Sequence, residues 1–389
     1  MKHILLFILV ICVNKSLELK MPPRNRNTEL FNNNAASRCS AAYFYSKNGR
    51  CEPQSCTHKV SNGIYKFPIY DENKELAIYY ISYDSNKKQP QYSIALHDKL
   101  NSQIDEGRDA THFVQHPCNE LKSLQRKAKN EFFTDKGYQT GHLTPYKAMS
   151  ISKFAQKSTN LYINAAPQDA FTNVGSWSSC VERKVYDLLS TRHGIVITGV
   201  CNNIRTTSEM SKQPFEVPEC FWKLICFKEN QQTIVFGYYA ENTPVGKTQG
   251  LKEQRKNSVC QVRSQREIIE KTKLGDRIKL AWEESNILRE SRRSFINNLD
   301  SNYPKLYDCI NARENNNFDQ KKVDQLIVES KRDGQIKRPW DNRIRENEKK
   351  KNRFDDLNSR REDSRKRTFD QFNDYKTDSR LKPRIDFIN

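Results

Sequence analysis

Short apolar runs rich in β-branched and aromatic residues, each bounded by turn-forming residues, recur through the middle of the chain. Such runs predict β-strands. They cover Leu76–Ser82, Leu161–Asn164, Ile195–Val200, Phe221–Phe227 and Thr233–Tyr239. Helical patterning covers Asn173–Ser190 and Gln265–Lys271. Because strands and helices mix without a strict βαβ alternation, the pattern predicts the α+β class rather than a doubly wound sheet.

The N-terminal segment has the layout of a secretory signal peptide. A short basic region precedes the apolar core Ile4–Val13, and polar residues follow from Asn14. We therefore predict a signal peptide over residues 1–16, with an uncleaved anchor as the alternative. After the first twenty residues no apolar run approaches the ~20 residues that cross a bilayer. The sequence thus predicts a secreted, extracellular protein with no stable membrane association.

The rest of the chain divides by composition. Residues 17–38 are polar and are interpreted as a disordered lead-in, and residues 39–312 carry the apolar runs of one folded domain. Residues 313–389 are interpreted as a basic, low-complexity tail, since residues 321–389 hold 21 Lys and Arg against 14 Asp and Glu. Such a mixture cannot supply a core. Two roles stay open for the tail: non-specific contact with phosphates, or a solvated segment without a partner.

The cysteine count agrees with export. Of the 11 cysteines, Cys12 lies in the signal segment, which leaves an even number in the mature chain. Ten cysteines in a secreted protein predict up to five disulfides, with the connectivity left open. No pair of cysteines has the spacing of a structural zinc site.

The net charge of +19 and the mean hydropathy of −0.88 bear on partners. An excess of Lys and Arg favours a polyanion such as nucleic acid, anionic lipid or a glycosaminoglycan. Solubility alone is the alternative explanation of the charge. The sequence leaves the oligomeric state open.

The candidate chemistry lies in residues 135–189. Gly141-His142 leads into Leu143-Thr144-Pro145, and a strand-like segment follows in which Asn164 begins Asn-Ala-Ala-Pro-Gln. Asn173, with Trp177 four residues later, then opens a helical stretch that contains Glu182. The order and separation of these motifs resemble the DNA/RNA non-specific endonuclease family, secreted nucleases with a ββα-metal finger. The resemblance spans roughly residues 60–275 and does not cover the tail.

The resemblance implies a mainly antiparallel sheet that carries the finger, and it implies a set of roles. His142 would be the general base, since a neutral imidazole titrates near neutral pH. Asn173 would bind one hydrated Mg²⁺ (or Mn²⁺), which keeps most of its waters. Glu182 would hold metal-bound waters, and Asn164 would orient the base or the phosphate. An N-cap role for Asn173, a strand end at Asn164 and an exposed helical Glu182 are the structural alternatives.

This sequence departs from the family pattern in two places. Gln139-Thr140 stands where the family has Asp-Arg, so Thr140 occupies the position of a phosphate-binding arginine. Arg183 and Lys184 are candidates to replace that contact, although a solvated helix face explains them equally. Glu182 follows Asn173 by nine residues, which places the two on opposite faces of a regular α-helix. Glu182 can then assist only if Asn173 precedes the helix or the helix is irregular.

The function predicted from these residues is metal-dependent, sequence-independent endonucleolytic cleavage of DNA, with RNA as a second candidate substrate. Two other hypotheses stay open. A catalytically impaired relative would bind nucleic acid without cleaving it, which the Gln139-Thr140 departure favours. A structural secreted protein would instead dock its basic tail on anionic glycans.

Overall fold

The computed structural model describes ten segments of the chain: residues 43–45, 51–53, 61–71, 76–97, 113–116, 137–207, 214–244, 248–293, 303–311 and 320–333. The predicted signal peptide, the lead-in and residues 334–389 of the predicted tail lie outside the described residues.

A six-stranded antiparallel sheet forms the centre of the fold. Its spatial order is β12-β11-β8-β5-β4-β3, and every neighbouring pair in it is antiparallel. The strands are β3 (Ile64–Tyr70), β4 (Ala77–Asp84), β5 (Gln89–His97), β8 (Gly194–Val200), β11 (Cys220–Glu229) and β12 (Gln232–Glu241). Mixed helices around an antiparallel sheet confirm the predicted α+β class.

Three two-stranded antiparallel pairs stand apart from this sheet. They are β1 (Tyr43–Tyr45) with β2 (Cys51–Pro53), β6 (Tyr138–His142) with β7 (Ala165–Asp169), and β9 (Asn203–Thr207) with β10 (Pro214–Pro218). The pair of β6 and β7, called the ribbon below, carries the Gly141-His142 motif.

The helices cover both faces of the sheet. They are α1 (Lys153–Ser158), a π-helix (Thr172–Glu182), α2 (Arg183–Leu189), α3 (Gln249–Cys260), α4 (Gln265–Thr272), α5 (Gly275–Arg293), α6 (Leu306–Asn311) and α7 (Gln320–Asp333). One face of the sheet packs Trp222 and Leu224 against Ile268 of α4 and Trp282 of α5. The opposite face packs against the π-helix and α2. The sheet therefore packs directly against the two helices that carry Asn173, Glu182 and Arg183.

Three disulfides join described cysteines: Cys180–Cys260, Cys201–Cys220 and Cys226–Cys309. The prediction of disulfide bonding is confirmed in these three. The first ties the π-helix to α3, and the last ties β11 to α6. No helix among the described segments combines the length and the apolar content needed to span a membrane.

Two predictions about the elements need correction. The strand predicted at Leu161–Asn164 is a short 3₁₀ turn, Tyr162–Asn164, and the strand begins only at Ala165. The folded part of the chain also extends beyond residue 312. Helix α7 buries three residues against α2, namely Val323, Leu326 and Ile327. They share one face because they recur at helical spacing, and the charged residues around them conceal this pattern in the composition.

Candidate active site

The ribbon and the helix that follows it form a ββα unit. In the ribbon, His142 pairs with Ala165 and Gly141 with Ala166. A Cβ atom at Gly141 would lie 2.3 Å from Oε1 of Gln168, so only glycine allows β6 and β7 to pack this way. Close packing against Gln168 thus accounts for the glycine of the Gly-His motif.

His142 is half-buried at the end of β6. Its Nε2 atom lies 2.9 Å from Oδ1 of Asn160, and its ring packs on Phe113 with centroids 4.6 Å apart. Because an amide oxygen only accepts hydrogen bonds, Nε2 donates to Asn160 and the basic lone pair of the neutral ring is on Nδ1. A ring whose tautomer and orientation are fixed by a partner is the arrangement that a general base requires.

Asn160 was missed by reasoning from the sequence. It is 1 % exposed and stands at the turn between α1 and β7. The family motif begins only four residues later, at Asn164, so no pattern distinguished Asn160 from an ordinary turn residue. A polar residue at the end of a short helix, just before an otherwise apolar segment, was the one available signal.

Asn164 has no exposed surface. Its Oδ1 accepts from the backbone N–H of Thr144 at 3.0 Å, and its Nδ2 donates to the carbonyl oxygens of Thr144 and Thr159 at 2.8 and 2.9 Å. Thr144 lies two residues after His142, and Thr159 directly precedes Asn160. Asn164 therefore joins the two loops that carry His142 and Asn160, and burial keeps it from touching a phosphate.

Asn173 is half-buried at the beginning of the π-helix. Its Nδ2 donates to Oε1 of Gln139 at 3.4 Å. Gln139 lies three residues before His142 on β6, about 10 Å along the strand. The ribbon thus carries His142 at one end and contacts Asn173 near the other, and neither side chain is a packed interior residue.

The π-helix changes the relation between Asn173 and Glu182. Its i→i+5 hydrogen bonding runs over 11 residues and continues directly into α2. Such bonding widens the turn to about 4.4 residues, so two turns span about nine residues. Asn173 and Glu182 consequently lie on the same face, whereas a regular α-helix would oppose them. The helix that contains Asn173 and Glu182 is thus irregular, which is one of the two conditions stated for Glu182 in the sequence analysis.

The burial pattern explains the wider turn. The buried residues of the π-helix are Thr172, Ser176, Trp177 and Val181, which recur at intervals of four to five. In α2 the buried positions Val185, Leu188 and Leu189 return to the shorter spacing of an α-helix. Thr172 and Ser176 are polar, so the wider spacing belongs to the buried face of the folded helix and not to the apolar pattern of the sequence.

The three predicted substrate contacts have different surroundings. Thr140 is half-buried on β6 and pairs with Pro167 of β7. Arg183 is exposed at the start of α2. Lys184 donates to Asp324 of α7 at 2.7 Å, so its ammonium group already has a carboxylate partner. Burial alone would raise the pKa of Asp324, but the hydrogen bonds from Lys184 and Gln320 outweigh it and hold this pKa below its usual value.

A buried lysine lies beneath the helix. Lys223 of β11 is 1 % exposed, and its Nζ donates to Oγ1 of Thr198 on β8. The same Nζ stands 5.7 Å from the ring centroid of Trp177. Burial lowers the pKa of Lys223 to about 8, and the charge of Glu182 opposes this shift. No sequence motif pointed to this residue, because it occurs within an apolar strand.

The donors at this site suit a hydrated hard cation. Among the described residues, no group of three or more His, Cys, Asp or Glu is arranged to hold a metal ion. An amide oxygen of Asn173 with most ligands supplied by water is the type of site that Mg²⁺ accepts. The amide of Gln168, fully buried beside Gly141, has no protein hydrogen-bond partner within the described segments.

Comparison with known proteins decides the family. The family described as DNA/RNA non-specific endonuclease matches residues 60–271, more than half of the 389 residues. The chain belongs to the DNA/RNA non-specific endonuclease family. The matched range includes the ribbon, the π-helix and the whole central sheet, and it confirms the resemblance drawn from the motifs. Helices α5 to α7 lie outside the range.

Individual proteins match this chain at low sequence identity. The salivary endonuclease of Lutzomyia longipalpis is 29 % identical over an alignment of 224 residues, and the alignment covers 49 % of this chain and 53 % of the relative. The chain thus spans about half the length of this curated relative. A crystal structure of the EndoG/EndoGI complex is 19 % identical with a TM-score of 0.35, and the alignment covers 47 % of this chain and 79 % of that one.

Proposed function

We propose that this protein is a secreted, metal-dependent endonuclease that hydrolyses phosphodiester bonds of DNA without sequence preference, with RNA as a second candidate substrate. The observation that supports it best is the contact between His142 and Asn160 at the end of a ribbon that also contacts Asn173. Membership of the endonuclease family supports the same class of reaction.

His142 would act as the general base. Its Nδ1 takes a proton from a water molecule as the water oxygen bonds to phosphorus and the bond from phosphorus to the leaving 3′-oxygen breaks. The oxygen of Asn160 then faces the imidazolium and stabilises its charge through the Nε2 hydrogen bond. Packing on Phe113 prevents the ring from turning away from this position.

Asn173 would hold the divalent cation, either Mg²⁺ or Mn²⁺, through its amide oxygen. Its amide nitrogen already donates to Gln139, which orients the oxygen away from the ribbon. Glu182, on the same face of the π-helix, would accept hydrogen bonds from the waters of the ion. When bound, the cation would supply Lewis-acid stabilisation of the charge on the phosphate.

Substrate binding would rest on charge rather than on base contacts. Phosphates carry no base information, so a protein that contacts only the backbone cleaves without sequence preference. Arg183, which is exposed at the start of α2, would contact the phosphate backbone. The net charge of +19 would add long-range attraction that falls steeply as salt rises.

Secretion is part of the proposal. It rests on the signal-like segment over residues 1–16 and on three disulfides, which persist in oxidising compartments. The salivary origin named for one relative agrees with it.

The experiment is a nicking assay on supercoiled plasmid, with Mg²⁺ or with EDTA, for the wild type, His142→Ala and the control His193→Gln. His193 packs on Tyr303, outside the ribbon and the helix. We expect cleavage by the wild type and the control only with Mg²⁺, and none by His142→Ala despite normal plasmid retardation. Retarded but uncut plasmid with the wild type would support the binding-only hypothesis. Retention on heparin without nucleic-acid preference would support the glycan hypothesis.

A further inference from the structure

A lysine of α3 lies beside the beginning of the π-helix. The Nζ atom of Lys252 stands 5.6 Å from the ring centroid of Phe171, the residue that directly precedes the π-helix. Asn173, the proposed cation ligand, follows Phe171 by two residues. Lys252 has no part in the mechanism above, and no sequence motif pointed to it.

Two contacts hold α3 alongside the π-helix. Lys252 meets Phe171 at the first, and the disulfide Cys180–Cys260 forms the second. The second contact lies nine residues after Phe171 on one helix and eight residues after Lys252 on the other, so the two helices run side by side in the same direction. The ammonium group of Lys252 is therefore fixed at the end of the π-helix that carries Asn173.

Lys252 differs in its partners from two other cations of this region. Lys184 of α2 forms an ion pair with Asp324 at 2.7 Å. Arg255, three residues after Lys252 on α3, forms one with Glu241 at 3.7 Å. Within the described segments no carboxylate pairs with Lys252, whose ammonium group contacts only the aromatic ring. A ring attracts the charge without occupying all three N–H donors, so donors of this group stay available to a ligand.

The surface around this lysine is open. Val174, which directly follows Asn173, is 68 % exposed, and Leu251, which directly precedes Lys252, is 50 % exposed. A Cβ atom at Gly175 would meet no atom of the described segments within 4 Å. A strand of nucleic acid can therefore approach Asn173 and Lys252 together, with these apolar side chains beside its sugars and bases.

An ammonium group with available donors suits a phosphate oxygen, because a hydrogen bond between two charged groups is stronger than one between neutral groups. Such a contact is needed here, since Thr140 stands where the family has a phosphate-binding arginine. A threonine hydroxyl carries no charge and cannot replace that ionic contact. The ribbon thus lacks a cation that α3 can supply from the side of the π-helix.

We propose that Lys252 binds a phosphate of the nucleic-acid backbone beside the cation site, and that Phe171 is the positioning residue that holds its ammonium group there. The phosphate bound by Lys252 belongs to the same strand as the phosphate that is cleaved. This inference rests on the proposed function, because it adds a substrate contact to the proposed active site.

The salt dependence of DNA binding tests the proposal. Binding of a fluorescently labelled DNA duplex to the full-length protein is measured by anisotropy in EDTA at several salt concentrations. Each phosphate contact contributes about 0.9 to the slope of log affinity against log salt concentration. We expect Lys252→Gln to reduce this slope by about 0.9 and to weaken binding by about five- to tenfold at roughly 0.1 M salt. Lys252→Arg, which keeps the charge, should stay close to the wild type.

The matched control is Lys271→Gln. The Nζ atom of Lys271 stands 5.3 Å from the ring centroid of Tyr239, and its helix, α4, packs on the face of the sheet opposite the π-helix. The control therefore removes the same charge and the same kind of ring contact, away from the site. We expect it to leave the slope unchanged. An equal loss of slope in both lysine variants would show that net charge alone attracts the DNA, and it would overturn the proposal.

A double-mutant cycle tests the role of the ring. We expect Phe171→Leu to weaken DNA binding by about two- to threefold when Lys252 is present and by less than about 1.5-fold in Lys252→Gln. Phe171→Tyr, which keeps the ring, should match the wild type. Equal effects of Phe171→Leu with and without Lys252 would overturn the positioning role of Phe171.

Plasmid cleavage with Mg²⁺ separates this inference from the proposed function. In Lys252→Gln we expect KM to rise by the factor found for binding, with kcat within about twofold of the wild type. If the wild type binds no DNA, the proposed function and the inference both fail. If it binds DNA without cutting, the endonuclease proposal fails alone, and the slope for Lys252→Gln still decides the inference. A wild type that binds and cuts, with an unchanged slope and KM in Lys252→Gln, overturns the inference alone.

Discussion

The Nε2 atom of His142 lies 2.9 Å from the amide oxygen of Asn160, and the side chain of Asn164 joins the loops on which the two residues stand. The imidazole is thus oriented by a residue that is not part of the recognisable motif. Asn164, which is part of it, acts on the backbone around the pair. The asparagine of the motif and the asparagine that contacts His142 are therefore different residues.

Replacing Asn160 tests this relationship. We expect Asn160→Ala to lower kcat for plasmid cleavage by about 100-fold, because the imidazole loses the acceptor that fixes its tautomer, and correct positioning of a general base contributes at least this much. Asn160→Asp offers an oxygen acceptor in the same place and should retain most of the activity. DNA affinity in EDTA should be unchanged in both. Unaltered kcat in Asn160→Ala would remove Asn160 from the mechanism.

The disulfide between Cys180 and Cys260 should stabilise both the fold and the site. It closes a segment with a sequence separation of 80, against 19 for Cys201–Cys220. Chain entropy alone predicts losses of about 4.5 and about 3 kcal/mol when each pair is changed to serine. Urea unfolding measures both. Because only Cys180 lies in the π-helix, only the first double variant should also raise the Mg²⁺ concentration needed for cleavage, and the same rise in both would contradict this assignment.

Helix α7 should behave as part of the folded domain. Leu326 is 4 % exposed against α2, whereas Val328 on the same helix is 45 % exposed. Leu326→Ala should therefore lower the free energy of unfolding by about 2–4 kcal/mol through lost burial and a residual cavity. Val328→Ala should change it by less than about 0.5 kcal/mol. Indistinguishable urea midpoints for the two variants would place α7 outside the cooperative unit.

His116 should make the protein sensitive to acid. Burial lowers the pKa of His116 to about 4, while an unfolded histidine titrates near 6.5. Between these values the unfolded chain binds a proton that the folded protein refuses, so stability falls as the pH drops from 6.5 towards 4. The loss assigned to His116 is up to about 3 kcal/mol. His116→Gln, which does not titrate, should flatten this part of the stability curve, and parallel curves for both proteins would refute the assignment.

The sequence predicted most of the sheet and the location of the chemistry. The apolar runs in β4, β8, β11 and β12 are long and rich in β-branched and aromatic residues, so local pattern and tertiary structure agree there. The pattern failed at Leu161–Asn164. Its apolar residues Leu161 and Ile163 are buried, but in a turn that positions Asn164 rather than in a strand. Leu161 forms an isolated parallel bridge with Val114, and its buried side chain gives the same sequence signal as a residue of a longer strand.

The composition of the chain predicted an end of the folded domain at residue 312, before α7. Residues 320–333 are rich in charge, and averaging over them conceals the three apolar positions that α7 buries. The prediction from sequence depended on the average charge and apolar content of the segment, whereas the fold depends on which residues share one helical face.

The order of the motifs by itself determined the family, the candidate base and the candidate metal ligand, because these depend on residue identity and spacing along the chain. Whether Glu182 could join Asn173 was decided only by the wider turn of the π-helix, which packing against the sheet selects. Asn160 and Lys223 are likewise defined only by the fold. Their nearest partners come from other parts of the chain, and contacts between distant segments leave no periodic trace in the sequence of either one.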